Sequence, residues 1–314
     1  MVKPVVVIFC RHIDENKYPF NSDYYWHAYF DLLLLLKERG VEAYFATDNA
    51  TYCGNGIFKL AYTAKEKVPV SQLAVIYDVR ADVVYDKGGF VRTNDVPVLN
   101  PNSVHDITSN KSHTYTQFGH LQPNTILCTS QDETLAALKK IESNKLVFKK
   151  LQSNGGKGVT IIDRNNAAKI ANALDYPQVI QEFIDTSCGI PGLCEGYHDL
   201  RIKIGGGSVW GGTLRIPKEG ELRANVSQGG TERHLDPSEI PEDARQFAMT
   251  IDDFFKDYPR YYAIDLAKTS NGWKLIELNS KPGLSPISMS KQSRHITTKL
   301  ADYLCDMAQD SPNS

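Results

Sequence analysis

Apolar residues recur along the chain at two different periods, and the switching between them sets the fold class. Pro4 to Cys10 is a short, nearly unbroken apolar run of the kind buried as a strand. From Asp23 to Arg39 the apolar and aromatic residues fall mostly at helical spacing, with Asp23 at the start and Gly40 as the stop. Val41 to Ala46 reads as a second strand, so the opening is strand, helix, strand, an α/β pattern. Thr47 to Gly56 is polar and loop-like. Leu73 to Tyr77 and Val96 to Leu99 read as further strands, and Pro97, Pro101 and Asn102 place a boundary near residue 103.

Beyond that boundary the pattern predicts a helix over Ser103 to Phe118, a break at Pro123, a strand over Thr125 to Cys128 and a helix over Asp132 to Ser143. Lys145 to Lys149 and Val159 to Ile162 are strands flanking a glycine-rich turn, followed by a helix over Ala167 to Leu174 and a strand over Val179 to Ile184. From His198 strands dominate. Leu200 to Ile204 and Ser208 to Ile216 form a hairpin around Gly205-Gly206-Gly207. Pro237 to Phe255 is helical, Tyr262 to Ala267 pairs with Trp273 to Leu278, and Arg294 to Met307 is a closing helix, with Asp310 to Ser314 loose. A chain of 314 residues has room for two or three subdomains, here 1–103, 104–184 and 185–314.

Composition excludes several classes. The formal charge of −2 offers no basic excess for nucleic acid. The longest apolar run, Leu32 to Leu36, ends at Lys37 and is far too short to span a membrane. Arg11 and His12 interrupt the N-terminal run and no small-residue cleavage site follows, so that run reads as a strand and not a signal peptide. Cysteines 10, 53, 128, 188, 194 and 305 make no CxxC pair and no zinc spacing, which suits reduced thiols in a cytoplasmic protein.

Three groups of residues carry candidate chemistry. Glu277 and Asn279, two apart on one strand, face the same side, and Asp265 on the preceding strand can join them. Oxygen donors without His or Cys suit Mg²⁺ that also binds phosphate oxygens, although plain surface carboxylates would look the same. Lys149 ends a strand that runs into Gln152-Ser153-Asn154-Gly155-Gly156-Lys157-Gly158. Glycines there let backbone N–H groups approach phosphate and Lys149 can neutralise it; a hairpin turn is the simpler alternative, and no GK[ST] phosphate loop is present. Arg215, Arg223 and Asn225 lie near a Gly229-Gly230 turn, where arginines can bind oxyanions or merely form surface ion pairs.

Taken in order, these pieces resemble the ATP-grasp superfamily, with the patterns of prokaryotic glutathione synthetases and RimK-type amino-acid ligases. The resemblance runs over roughly residues 97 to 290: Val98-Leu99-Asn100-Pro101, Asn110-Lys111, Val147-Phe148-Lys149 with its glycine-rich loop, Gln181-Glu182-Phe183-Ile184, Asp199-Leu200-Arg201, Leu214-Arg215, Arg223-Ala224-Asn225, Asp265 and Glu277-Leu278-Asn279. It implies an ATP-grasp fold of α+β subdomains behind a Rossmann-like N-terminal domain. It also implies nucleotide phosphates held by Lys111, Lys149, Gly155 and Gly156, adenine read by Gln181, Glu182, Phe183 and Ile184, and a ribose facing Asp199. Arg215, Arg223 and Asn225 would stand near the transferred phosphate, and Asp265, Glu277 and Asn279 would bind magnesium, two ions with Mn²⁺ as a substitute.

The activity so implied is an ADP-forming carboxylate–amine ligase working through an acyl-phosphate, on small-molecule or peptide substrates. A kinase on the same fold stays open, although 11 Lys/Arg against 12 Asp/Glu in residues 1 to 100 offer little basic surface for a polyanion. A non-catalytic nucleotide-binding module is a third reading, and a homo-oligomer, dimer or tetramer, is left open. The acceptor is unassigned: Arg11 and His12 follow the first strand, where loops meet ligands, and Arg80 stands in a similar place. Lys281, in Asn-Ser-Lys-Pro-Gly, has no counterpart in the resemblance.

Overall fold

A computed structural model describes residues 3–91, 93–151, 158–222, 224 and 229–311. Along them run β1 (Val5–Phe9), α1 (Asp23–Glu38), β2 (Glu42–Ala46), β3 (Ile57–Thr63), β4 (Ala74–Arg80), β5 (Val83–Asp86), β6 (Val98–Leu99), α2 (Asn102–Ser109), α3 (Lys111–Phe118), β7 (Thr125–Cys128), α4 (Gln131–Lys140), β8 (Lys145–Lys150), β9 (Val159–Asp163), α5 (Arg164–Ala171), β10 (Gln178–Glu182), β11 (Asp199–Gly205), β12 (Ser208–Ile216), β13 (Thr231–Leu235), α6 (Glu242–Asp252), β14 (Tyr261–Thr269), β15 (Gly272–Asn279) and α7 (Lys291–Gln309).

The strands form three sheets. The first has the order β4-β3-β2-β1-β5-β6, parallel from β2 through β6 and antiparallel at β3 and β4. β1 is central, and its Val6, Val7 and Ile8 are fully buried, which is why it reads as a continuous apolar run and not as an alternation. After β1 the chain steps to β2, β3 and β4 on one side and then returns to β5 on the other. That reversal opens a crevice at the carboxyl ends of β1 and β5. A Cβ on Gly88 would lie 2.3 Å from the carbonyl carbon of Cys10 and 2.5 Å from Arg11 N, so the two strand ends approach this closely only because residue 88 is glycine.

The second sheet, β7-β10-β8-β9, is antiparallel and has its own small core of Cys128, Ala137, Ile141, Leu146, Phe148, Ala167 and Ile180. The third, β13-β12-β11-β14-β15, is also antiparallel. Gly206 and Gly207 connect β11 to β12 with φ of 52° and 79°, the left-handed pair that a two-residue hairpin turn requires.

Packing interlocks these units. α7, last in the chain, lies against α1: Leu300, Leu304 and Ala308 share a core with Leu32, Leu33 and Leu36, and Arg39 Nε donates to Asp302 at 2.5 Å. α2 and α3 pack on the third sheet, with Val104 and Phe118 against the cluster of Leu266 and Leu278. Buried Asn100 bridges the first and third sheets, its Nδ2 donating to the carbonyls of Tyr261 and Ser280 at 2.8 Å and its Oδ1 accepting from Tyr261 N at 2.6 Å.

Several elements differ from the sequence expectation. The helix expected over 103–118 is two helices, because Asn110 is extended (φ −115°, ψ 116°) and its Oδ1 accepts from Ser112 N at 2.9 Å, capping α3. β3, β5 and β13 were not expected. β5 is only Val-Val-Tyr-Asp and wholly buried, too short to display a period, while β13 carries three exposed residues in five. Among the described residues no helix is long and apolar enough to cross a membrane, and all six cysteines are free.

Candidate active site

A cavity of about 760 Å³ opens where the three sheets meet. The first sheet lines it with Arg11 and Lys87 from the ends of β1 and β5, α3 with Lys111, the second sheet with Lys149 and Gln181, and the third with Glu277 and Asn279.

Lys149 is buried on β8 and held by a relay across the second sheet. Its Nζ donates to Gln181 Oε1 at 2.7 Å, Gln181 Nε2 donates to Thr125 Oγ1 at 2.7 Å, and Thr125 Oγ1 donates to Pro123 O at 2.6 Å. Burial pulls its ammonium down to about 8, Glu277 resists that shift, and Lys111 adds to it. Lys149, Lys111 and Glu277 all line the cavity. Lys111 is the first residue of α3, fixed in place by the Asn110 cap.

Behind Glu277 lies a row of charged residues across four strands. Arg201 on β11 is opposite Asp265 on β14, and Asp265 is opposite Glu277 on β15, with a bulge just beyond Asp265. Directly opposed residues share a face, so the row points to one side. Arg201 donates to Asp265 Oδ1 and Oδ2 at 2.7 and 2.6 Å, while Arg215 Nη2 reaches Asp265 Oδ2 at 2.7 Å and both oxygens of Asp199 at 2.5 and 2.6 Å. Burial alone would raise the Asp265 carboxyl, but Arg201 and Arg215 hold it well below the usual range. Burial pushes Asp199 upward, opposed by Arg215 and reinforced by Asp265.

The expected metal donors were tested against this geometry. Asp265 and Glu277 stand opposite one another, and Asn279 lines the same cavity. The set is all oxygen, as Mg²⁺ prefers, and Glu277 and Asn279 face the Lys149 wall. Both Asp265 oxygens are engaged by arginines, and Asn279 Oδ1 accepts from Lys281 N at 3.0 Å. Among the described residues no group of three or more His, Cys, Asp or Glu gathers as a metal cluster. The fit is therefore to a cation that takes few protein ligands and completes its shell with phosphate and water.

Of the other expected residues, Arg11, Lys111, Lys149 and Gln181 meet in the cavity with Glu277 and Asn279. Asp199, Arg215 and Asp265 form the ion network behind it. Asp199, expected to face a ribose, pairs with Arg215. Glu182 ends β10, and the Phe183 N–H, expected at the adenine edge, donates to Lys145 O at 3.2 Å. Ile184 follows beyond the strand, and neither it, Glu182 nor Phe183 lines the cavity. His12 is not a lining residue, and Arg80 stands on β4, the outer edge strand of the first sheet, away from the carboxyl end of β1. Gly155, Gly156, Arg223 and Asn225 lie outside the described residues.

Sequence reasoning missed Lys87 and Lys203. Lys87 Nζ donates to the carbonyls of Lys281 and Pro282 at 3.0 and 2.7 Å, and Lys203 Nζ donates to Gly283 O at 3.2 Å. Lys281 pairs with buried Asp86 at 2.8 Å. Burial lowers Lys87 to about 7, with Lys281 adding to the effect and Asp86 opposing it; burial lowers Lys203 to about 8. The signal for Lys87 was hidden because it follows a strand too short to be read, while Lys281 stood out but had no partner in view.

Comparison with known proteins bears on this geometry. Residues 111–304 match the model of the RimK-like ATP-grasp domain. A Legionella pneumophila protein named "Probable alpha-L-glutamate ligase" is 30% identical over 188 residues, covering 58% of this chain and 57% of that protein, so the chain matches little more than half the relative's length. The tetrahydromethanopterin:alpha-L-glutamate ligase of Methanocaldococcus jannaschii is 28% identical over 222 residues, 67% of this chain and 72% of that one. Among solved structures, a Chryseobacterium gregarium RiPP-associated ATP-grasp ligase in complex with ADP and a leader and core peptide aligns with a TM-score of 0.63 at 15% identity, over 96% of this chain and 97% of the other. A D-alanine–D-alanine ligase from Bacillus anthracis complexed with ATP aligns at 0.62 and 14% identity, over 98% and 97%. The architecture is that of the ATP-grasp fold across nearly the whole chain.

Proposed function

Because the chain belongs to the RimK-like ATP-grasp family, we propose that it is an ADP-forming ligase that joins a carboxylate to an amine. The observation that carries this reading is the cavity itself: Lys111 from α3 and Lys149 from the second sheet line it together with Glu277 and Asn279 from the third. Cations and oxygen donors gathered around one cavity are what a nucleoside triphosphate with magnesium needs. The relatives and solved neighbours described as ligases support ligation over the kinase and the non-catalytic module.

On this reading Lys111 and Lys149 hold the nucleotide phosphates, and the γ-phosphate passes to a substrate carboxylate. The bond between the bridging oxygen and the γ-phosphorus breaks as the carboxylate–phosphorus bond forms, leaving ADP and an acyl-phosphate. An amine then attacks the acyl carbon, phosphate leaves, and the amine loses a proton. Glu277 and Asn279, with Asp265 behind them, would hold Mg²⁺, two ions with Mn²⁺ as a substitute, and supply positive charge beside the phosphates. Arg215 is anchored by Asp199 and Asp265 in the row that ends at Glu277; Arg223 and Asn225 would be the donors to the transferred phosphate that the family resemblance implies. Water must be kept from the acyl-phosphate, and the glycine-rich segment containing Gly155 and Gly156 is the part suited to cover it. We place this activity in the cytoplasm, where ATP and reduced thiols coexist.

The relatives' names make L-glutamate the first amine to try, and the peptide-bound neighbour makes peptide carboxylates worth including. The test is ADP release with ATP, Mg²⁺, a carboxylate and an amine, with the amide identified by mass. Turnover that needs both substrates and collapses in Lys149→Ala supports the reading. A stable phosphorylated product without an amine would replace it with a kinase.

A further inference from the structure

We propose that the N-terminal end of the cavity is a second anion subsite, built by Arg11 and Lys87, that binds a free carboxylate of an amino-acid substrate. This rests on the ligase reading and names what that reading leaves unassigned.

The first observation is charge. Arg11, Lys87, Lys111, Lys149 and Lys281 line the cavity, and Glu277 is the single acidic lining residue among those described. Lys111 and Lys149 sit at the nucleotide end. Lys281 is matched by Asp86, whose second oxygen accepts from Gly89 N at 2.7 Å and Phe90 N at 2.9 Å. Lys87 is different: its two hydrogen-bond acceptors are neutral carbonyls, and the neighbouring Asp86, already paired with Lys281, only partly offsets the cost of burying its charge. An ammonium has three donors, two of which the carbonyls take, and the Tyr85 ring centroid lies 5.9 Å from Nζ.

The second observation is topology. Arg11 and Lys87 follow β1 and β5, the parallel neighbours flanking the point where strand order reverses. Open α/β sheets place ligands at the carboxyl ends of strands beside such a point. Lys87 N donates to Phe9 O at 2.8 Å, and the close approach of Gly88 to Cys10 and Arg11 brings the backbone of the two basic residues together, both lining the cavity. Tyr18 and Tyr25, ring centroids 5.4 Å apart and edge to face, wall the same end.

The third observation is size and linkage. A substrate tethered at Arg11 and Lys87 shares one cavity of about 760 Å³ with Lys149 and Glu277. Lys87 also grips the carbonyls of the segment that follows Asn279, so the subsite and the oxygen donors are parts of one connected piece. A guanidinium and an ammonium together suit a carboxylate, which accepts charge-assisted hydrogen bonds from both.

The experiment is calorimetric titration of the full chain loaded with a non-hydrolysable ATP analogue and Mg²⁺. The probes are the twenty proteinogenic L-amino acids, each compared with its α-carboxamide. At least one free acid should bind about tenfold or more tightly than its amide, the loss expected when a charge-assisted pair is removed. Lys87→Met and Arg11→Gln should each remove most of that preference, and Arg11→Gln should do so without changing the affinity for the ATP analogue. Arg11 is exposed, so Arg11→Gln stays informative if Lys87→Met fails to fold. Equal binding of every acid and its amide, or a preference that survives both substitutions, would overturn the proposal. Failure of the wild-type chain to bind the ATP analogue would instead sink the ligase reading beneath it.

Discussion

Arg201 grips Asp265 through both carboxylate oxygens, at 2.7 and 2.6 Å, from the neighbouring strand of the third sheet. Arg215 adds a third contact at 2.7 Å and ties Asp265 to Asp199. Asp265 therefore anchors the wall that presents Glu277 as well as standing beside it. Removing one partner of a buried pair leaves the others uncompensated, at about 3–5 kcal/mol. Asp265→Ala should cost roughly that much in denaturant unfolding and should also abolish turnover. Asp252 offers a control, since it is fully buried and paired to Arg260 at 2.7 and 2.6 Å, and neither residue lines the cavity. Asp252→Ala should cost a similar amount, about 3–5 kcal/mol, with the nucleotide affinity of the folded fraction unchanged. Equal effects of the two substitutions on nucleotide binding would refute a special place for Asp265.

A buried ammonium near 8 predicts a pH profile. Lys149 is lowered from 10.5, so it is charged below about 8 and loses its proton above. ATP affinity should be flat up to about 8 and then weaken by up to about tenfold per pH unit until the bound form also titrates. Lys149→Met should bind ATP more weakly at pH 7 and lose that limb. For stability the sign is opposite: between about 8 and 10.5 the folded state binds fewer protons than the unfolded, so Lys149 makes stability rise with pH. An identical ATP profile in wild type and Lys149→Met would contradict the assignment.

Much of this was legible from residue order. β1 and α1 announced themselves by an unbroken apolar run and a helical period, and the β11–β12 and β14–β15 hairpins of the third sheet by their turns. Glu277 and Asn279 were recognisable because strand spacing fixes which side chains share a face, and Lys149 because it ends a strand before a glycine-rich run. What was hidden is long-range. That α7 would pack against α1, or that Lys87 would hold the carbonyls of Lys281 and Pro282, depends on contacts spanning most of the chain, which no local period encodes. The split of one expected helix at Asn110 turned on a single side-chain cap. The pairing of Asp199 with Arg215 depended on burial, which motif order does not report.

The close approach of the β1 and β5 ends can be tested alone. Gly88→Ala puts a Cβ 2.3 Å from the Cys10 carbonyl carbon, against backbone that cannot swing aside. The expected cost is about 1–3 kcal/mol in thermal or denaturant unfolding. Gly89→Ala, where the Cβ would meet nothing within 4 Å, should act only through its φ of +94° and cost less. A Gly88→Ala protein as stable as wild type would mean the strand ends are further apart than described.

Glu277 separates metal binding from folding. Its side chain lines the cavity and is not part of the arginine network, so Glu277→Gln should leave the melting temperature of the ligand-free chain within a few degrees. It should raise the Mg²⁺ concentration needed for half-maximal turnover by about tenfold or more. Chelation with EDTA should stop wild-type turnover and excess Mg²⁺ should restore it. Turnover of Glu277→Gln at wild-type Mg²⁺ dependence would remove Glu277 from the metal site.

The central claim is that ATP activates a carboxylate in this cavity by phosphorylating it. Isotope transfer reads that step directly. With the carboxylate substrate labelled in both oxygens with ¹⁸O, an acyl-phosphate route delivers one labelled oxygen to the released phosphate in each turnover. Mass spectrometry of the phosphate should show that single label, dependent on Lys149. Phosphate released without label during amide formation would contradict the account.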